Sequence, residues 1–137
     1  HAALGISQLK RLEKFIAKRH KLKERYDKSI KALPVIKPYQ KKDSYSAMHL
    51  YPIQFNLEKL HFNREKIFNE LRNKGIGVNV HYIPVHTQPY YLKMGFKHGD
   101  FPNSEKFYSR VISLPIFPKL SFEDQKKIIS TLKEIIK

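Results

Sequence analysis

Two histidines and three tyrosines crowd into one short stretch of the chain, GIGVNVHYIPVHTQPYYLKMGF, from Gly75 to Phe96. His81, Tyr82, His86, Gln88, Tyr90 and Tyr91 bring imidazole, phenol and amide groups together, all of which can donate hydrogen bonds to a polar ligand. Pro84 and Pro89 restrict the backbone between them. Gly75 and Gly77 permit a sharp helix-to-strand turn into Val78 and Val80, residues that suit a strand. A constrained loop with polar tips is suited to recognition rather than spacing. The plainer alternative makes His81 a satisfied strand-end histidine and the tyrosines core residues with wet tips. Metal binding by His81 and His86 would need a third ligand, and no acidic or thiol residue lies nearby in the sequence. His49, beside Met48, and Lys93 are further pocket-side candidates, although core or surface is the more ordinary fate of each.

The elements that must position this loop can be read from apolar spacing. Leu9, Leu12, Phe15, Ile16, Leu22, Tyr26, Ile30 and Leu33 recur at three- and four-residue steps, which predicts one long amphipathic helix from about Ala2 to Leu33, stopped by Pro34. Pro34 to Ser44 reads as a connector, and Tyr45 to Phe55 as a strand with Pro52 marking an edge or bulge. Asn63 is placed to cap a helix over about Arg64–Asn73, with Gly75 just past its end. A strand over Val78–Tyr82 follows, then a helix from Pro102 to about Arg110, a short strand over Val111–Leu114 and a kinked exit through Pro115 and Pro118. Ser121, with Asp124 three residues on, caps a last helix whose Ile128, Ile129, Leu132, Ile135 and Ile136 form one apolar stripe. This order predicts a small α/β two-layer sandwich of about three strands covered by helices. A first helix of about thirty residues would be on the order of 45 Å long, more than such a sheet can bury, so part of it should lean on another domain or subunit.

Composition bounds the function classes. A chain of 137 residues with 41% hydrophobic content has room for one domain with a modest core, and disorder is not expected. No run of roughly 18 apolar residues and no leader-like segment is present, so neither a membrane span nor a signal peptide is expected. The absence of cysteine excludes disulfides and thiolate-held metals, and fits a cytoplasmic setting without requiring it. The chain opens at His1 and runs at once into helix-like sequence, which raises the expectation of a piece of a longer polypeptide. The net charge of +15 invites a nucleic-acid reading. Yet Lys10, Arg11, Lys14, Lys18, Arg19, Lys21, Lys23, Arg25, Lys28 and Lys31 spread around most of the polar arc of the first helix instead of forming a stripe. No zinc-finger spacing, RNA-recognition signature or GXXG clamp accompanies them. A solvated lysine-rich face is the simpler account.

Three segments carry a resemblance: HAALGISQLKRLEKFIAKRHKLKERYDKSI, GIGVNVHYIPVHTQPYYLKMGF, and FPNSEKFYSRVISLPIFPKLSFEDQKKIISTLKEI. In that order they resemble the C-terminal portion of sugar-nucleotide aminotransferases of the DegT/DnrJ type, fold-type I enzymes dependent on pyridoxal phosphate. Within the family the likeness is closest to the branch that aminates a UDP-linked 4-keto-6-deoxy-N-acetyl-altrosamine in pseudaminic acid biosynthesis. The resemblance implies that residues 1–137 are a small C-terminal domain, with residues 1–33 as a linking helix, packed on a large N-terminal domain that binds the cofactor. It implies a homodimer that takes glutamate and a UDP-sugar as substrates. The Schiff-base lysine, the acidic partner of the pyridine nitrogen and most phosphate-binding residues would belong to the absent large domain, so no catalytic or cofactor-binding residue is expected here. A Schiff-base lysine must be partly desolvated to be neutral and nucleophilic, and the lysines of this chain lie in charge-rich stretches. In isolation the chain should be inactive. By the same resemblance His81, Tyr82 and His86 match the loop that approaches the active site and are expected to contact substrate, with Tyr90 and Tyr91 offering a stacking face or a hydroxyl donor.

Two other classes compete with a substrate-side domain. A basic nucleic-acid-binding module would need a continuous cationic stripe and steep salt dependence. A dimerisation or scaffold domain would need an apolar face and an idle loop.

Overall fold

The computed structural model describes residues 1–137. Its centre is a three-stranded antiparallel sheet in the order β1-β2-β3, formed by β1 (Val35–Ile36), β2 (Tyr51–Phe55) and β3 (Val111–Leu114). Helices α1 (Ala2–Leu9), α2 (Leu12–Ser29), α3 (Arg64–Asn73), α4 (Pro89–Lys93), α5 (Pro102–Tyr108) and α6 (Phe122–Ile135) complete the chain. Side chains alternate across a strand. Tyr51, Ile53 and Phe55 of β2, with Ile112 and Leu114 of β3, therefore share one face, and that face is sealed by Leu22 and Tyr26 of α2, Ile67 and Leu71 of α3, and Ile128 and Leu132 of α6. This is the expected two-layer α/β sandwich.

The long N-terminal helix is present with one tightened step. Arg11 N–H donates to Gln8 O at 3.0 Å, a three-residue bond that separates α1 from α2. The two halves differ in what holds them. α2 buries Ile16, Leu22 and Tyr26, whereas α1 buries nothing, and Leu4, Ile6 and Leu9 stand exposed. Helical stability in proteins comes mainly from packing an apolar face, and within this chain α1 has no surface to pack on. Some of the positive charge of α2 is structural rather than solvated: Lys18 Nζ and the Arg25 guanidinium lie 4.1 and 4.3 Å from the ring centroid of Phe122, at the start of α6.

Strand membership departs from the expectation at three places. Val35–Ile36, inside the expected connector, is β1, pairing Val35 with Phe55 and Ile36 with Gln54. The strand expected from Tyr45 begins only at Tyr51, because the preceding residues are held to α2 instead. The His20 ring stacks on Tyr45 at 4.7 Å and its Nε2 bonds Ser46 O at 2.8 Å, while Met48 adopts φ 48° with its N–H on Ser46 Oγ. The expected strand Val78–Tyr82 reduces to a single antiparallel bridge, Asn79 to Ser113, on the outer edge of β3. Pro52 lies in the central strand rather than on an edge strand; Phe55 N–H points to Arg110 O and Asn56 N–H to Pro34 O. By alternation the Pro52 nitrogen faces the β1 side, beyond the point where β1 ends, so no ladder bond is lost.

The caps fall where expected. Asn63 accepts from Lys66 N–H at 2.9 Å, and Ser121 from Asp124 N–H at 2.9 Å. At the end of α3, Gly75 takes φ 76°, Gly75 N–H donates to Arg72 O and Ile76 N–H to Leu71 O. This is a Schellman closure, and its apolar clasp joins Leu71 to Ile76, both buried. It turns the chain from α3 onto the edge of β3 and so delivers the loop that follows.

Candidate functional site

The loop leaves the sheet edge at Asn79, whose side-chain oxygen accepts from Val80 N–H. His81 follows, half-buried, with Nδ1 at 2.9 Å from Ser113 Oγ. Ser113 lies between Ile112 and Leu114 in β3 and so projects to the sheet face opposite the main core. His81 is thereby anchored on that second face, with Tyr82 edge-on to its ring at 4.6 Å. Tyr82 itself is 73% exposed and accepts no structural duty beyond that contact.

Beyond Pro84 the loop is more ordered than the sequence implies. A 3-10 turn, Val85–Thr87, closes with Thr87 N–H and Oγ1 both on Pro84 O, and α4 begins with Pro89 in its first turn, where a missing N–H costs nothing. His86 is buried in this turn. Its Nε2 lies 2.8 Å from Glu105 Oε1 on α5, and its ring packs on Phe101 with centroids 4.8 Å apart. Glu105 also accepts Gly99 N–H at 2.7 Å, and His98 Nδ1 lies 4.0 Å from its second oxygen. The hydrogen bond from His86, then that from Gly99, hold the Glu105 carboxyl below the usual carboxylate range. The other nitrogen of His86, Nδ1, makes no hydrogen bond within the chain and is not sealed from solvent.

His86 and Tyr91 line one cleft of about 310 Å³ with Val85, Phe96, Phe101 and Ser104. His81, Tyr82 and Tyr90 do not line it. Tyr90 stands 69% exposed, edge-on to Tyr91 at 5.4 Å. Gln88 is half-buried at the start of α4, and Lys93 is exposed at its end. His49 lines a separate, wider groove of about 560 Å³ between Pro38 and Pro52. Sequence reasoning missed Glu105 and Ser113, the residues that orient the two loop histidines. Nothing in the spacing of a glutamate nineteen residues downstream, on another helix, marks it as a partner. It also missed the polar knot under α2, where Asp27 takes Tyr51 OH at 2.6 Å and Lys23 Nζ at 2.6 Å, and Tyr26 OH reaches Pro115 O at 2.9 Å. Burial, and then the bond to Asp27, push the Tyr51 phenol far above its ordinary range; burial does the same to Tyr26. Both remain protonated donors.

The arrangement can bind and orient; its serine–histidine contact, Ser113 with His81, has the serine buried within β3 and out of reach of a ligand. No group of three or more His, Asp or Glu side chains is placed to hold a metal ion, although an acidic residue does stand against His86.

The family model described as the DegT/DnrJ/EryC1/StrS aminotransferase family matches residues 1–133. The chain belongs to this family. It is 41% identical over 98% of its length to the uncharacterised protein MJ1066 of Methanocaldococcus jannaschii, covering 36% of that protein. It is 38% identical over 99% of its length to SpsC, the spore coat polysaccharide biosynthesis protein of Bacillus subtilis, again covering 36%. With the UDP-4-amino-4,6-dideoxy-N-acetyl-beta-L-altrosamine transaminase of Campylobacter jejuni the identity is 33% over 98% of the chain and 35% of the enzyme. Among solved structures, Streptococcus pneumoniae Spr1654, a sugar aminotransferase by assignment and seen in a PLP form, superposes with a TM-score of 0.88 at 32% identity, over 98% of this chain and 34% of that one. Helicobacter pylori PseC, an aminotransferase of pseudaminic acid biosynthesis, gives 0.88 at 29% identity, over 98% and 36%. The chain thus spans about a third of the length of the relatives it matches.

Family members bind PLP or PMP, but the residues of this chain do not fit that cofactor. A Schiff-base lysine needs a desolvated site, and no lysine here is buried. The least exposed ion-paired one, Lys23, is tied to Asp27 at 2.6 Å on the helix surface.

Proposed function

We propose that this chain is the substrate-side, C-terminal domain of a PLP-dependent aminotransferase that moves an amino group from glutamate to a UDP-linked 4-keto-6-deoxy sugar. The cofactor and its lysine would be supplied by a large N-terminal domain, and the working enzyme would be a cytoplasmic homodimer. Carrying the proposal is the combination of a family match over nearly the whole chain with a surface loop that holds exposed phenols and oriented imidazoles but no usable lysine. His81, Tyr82, His86, Tyr90 and Tyr91 are proposed to contact substrate. The pseudaminic acid pathway is favoured by the likeness to PseC and to the Campylobacter transaminase. The higher identity with SpsC favours a second reading, a nucleotide sugar destined for a surface polysaccharide.

The test is amino transfer by the complete enzyme, supplied with PLP, glutamate and the UDP-4-keto sugar, with product read by mass. Turnover with the altrosamine precursor supports the pathway, and turnover only with other keto-sugars supports the second reading. The chain alone should neither develop a Schiff-base absorbance nor transfer an amino group. A single stoichiometric PLP adduct on one of its lysines would overturn the division of labour.

A further inference from the structure

We infer that Glu105 is a positioning residue that fixes His86 as a hydrogen-bond acceptor, and that the group His86 meets is a donor on the sugar, a hydroxyl or an amide N–H. This rests on the substrate-side reading given above. The chemistry follows from the geometry of one bond. An ionised carboxylate can only accept. At 2.8 Å the His86 Nε2 must therefore carry the proton and donate it to Glu105 Oε1. In the neutral imidazole the remaining nitrogen, Nδ1, then holds a lone pair and no hydrogen. Nδ1 is also the ring nitrogen left without a partner and still reached by solvent.

Glu105 is itself held in place. Its Oε1 takes Gly99 N–H at 2.7 Å in addition to His86, which ties the turn before α5 to the helix, and Phe101 packs against the imidazole at a tilt of 55°. The ring can neither flip nor slide without breaking one of these contacts, the arrangement by which an oriented histidine keeps one tautomer. The walls beside it are mostly apolar, Val85, Tyr91, Phe96 and Phe101, with the Ser104 side chain as the other polar group lining the cleft. An acceptor nitrogen among mostly apolar walls discriminates. It disfavours the diphosphate and the carboxylates of glutamate, which only accept, and takes a ring hydroxyl or an N-acetyl N–H; the one donor glutamate carries, its amino group, is committed to the transfer itself. His86 is thereby assigned to the keto-sugar half-reaction rather than the glutamate half-reaction.

The experiment compares the complete enzyme with its Glu105→Gln, His86→Ala and doubly substituted forms, measuring the two half-reactions separately with glutamate and with the UDP-4-keto sugar. A glutamine side chain fills the same space yet can donate as well as accept, so it releases the tautomer while keeping the packing. The expected result is a rise in KM for the keto-sugar of about tenfold in either single variant, a glutamate half-reaction changed less than about twofold, and a double variant no worse than the worse single one, since both act through one bond. Equal losses in both half-reactions, additive losses, or an unaffected Glu105→Gln enzyme would overturn the inference. A second readout needs no variant to fold: nitrogen-15 spectra of histidine-labelled wild-type enzyme should show His86 protonated at Nε2 and bare at Nδ1. A doubly protonated ring or the opposite tautomer would overturn it. If the wild-type enzyme aminates no keto-sugar at all, the substrate-side reading fails, and the tautomer measurement still judges the role of Glu105.

Discussion

Two polar knots in this small domain are built from similar parts and end differently. Under α2, Asp27 divides its two oxygens between Tyr51 and Lys23, Tyr26 stacks on Tyr51 at 4.8 Å, and the Tyr26 hydroxyl is spent on Pro115 O. Every strong group there has a partner. At the loop, Glu105 gathers His86 and Gly99 on one oxygen, and the imidazole is left with an unpartnered nitrogen beside a cleft. The first knot fastens a helix to a sheet; the second has unused hydrogen-bonding capacity held in a fixed direction. An imidazole nitrogen held in a fixed direction, with no partner in the fold and beside a cleft, is free to meet a ligand.

The largest expected effect belongs to the closed knot. Tyr51 is fully buried between α2 and the sheet, and Tyr51→Ala should cost about 3–5 kcal/mol in stability, read as a lower denaturant midpoint. A loss below about 1 kcal/mol would mean the knot is not the fastening it is taken to be. Tyr51→Phe keeps the ring and removes only the hydroxyl on Asp27. It should cost about 1.5 kcal/mol, with no change in the slope of the unfolding transition.

The open knot should give itself away by pH. The Glu105 carboxyl is held below the usual carboxylate range, first by the His86 bond, with Gly99 N–H and His98 as the other groups facing it. A depressed carboxylate contributes stability that is present above its unfolded value and lost as pH falls through its folded one. Denaturant midpoints of wild type and Glu105→Gln should therefore differ near neutrality and converge as pH falls below the ordinary carboxylate range. Midpoints that stay parallel across that range would remove the ion from the account.

Smallest is the effect at the exposed end of the first helix. Leu9 is 68% exposed, so Leu9→Ser should change the stability of the chain by less than about 0.5 kcal/mol. Exposed apolar strips drive association, and light scattering on the chain alone should show less self-association in the variant. An unchanged association state would mean that the Leu4, Ile6 and Leu9 strip is not the sticky surface.

How much of this was legible in the sequence divides along the same line. Signals that act within a few residues were readable: the Asn63 and Ser121 caps, Gly75 at its left-handed turn, and the apolar stripe of α6; the first helix, expected to reach Leu33 and stop at Pro34, instead ends at Ser29. Signals set by distant packing were not. A two-residue strand at Val35–Ile36, lying between Pro34 and Pro38, has too little length to show alternation, and only its register on Phe55 and Gln54 makes it a strand. Val78–Tyr82 has the composition of a strand, yet only Asn79 pairs, because His81 turns to Ser113. At the site, the histidines and tyrosines were visible by type, while the residues that aim them, Glu105 and Ser113, are joined to them only through the fold.

The most direct test of the central claim, that the loop serves substrate while the α2 knot serves the fold, sets Tyr82→Ala against Tyr51→Phe in the complete enzyme. Tyr82 is 73% exposed, so its removal has little fold to disturb. The measurement is kcat/KM for the UDP-4-keto sugar, taken well below the unfolding temperature of both variants. The account predicts a fall of about tenfold for Tyr82→Ala and less than about twofold for Tyr51→Phe. An unaffected Tyr82→Ala enzyme beside an impaired Tyr51→Phe enzyme would contradict it.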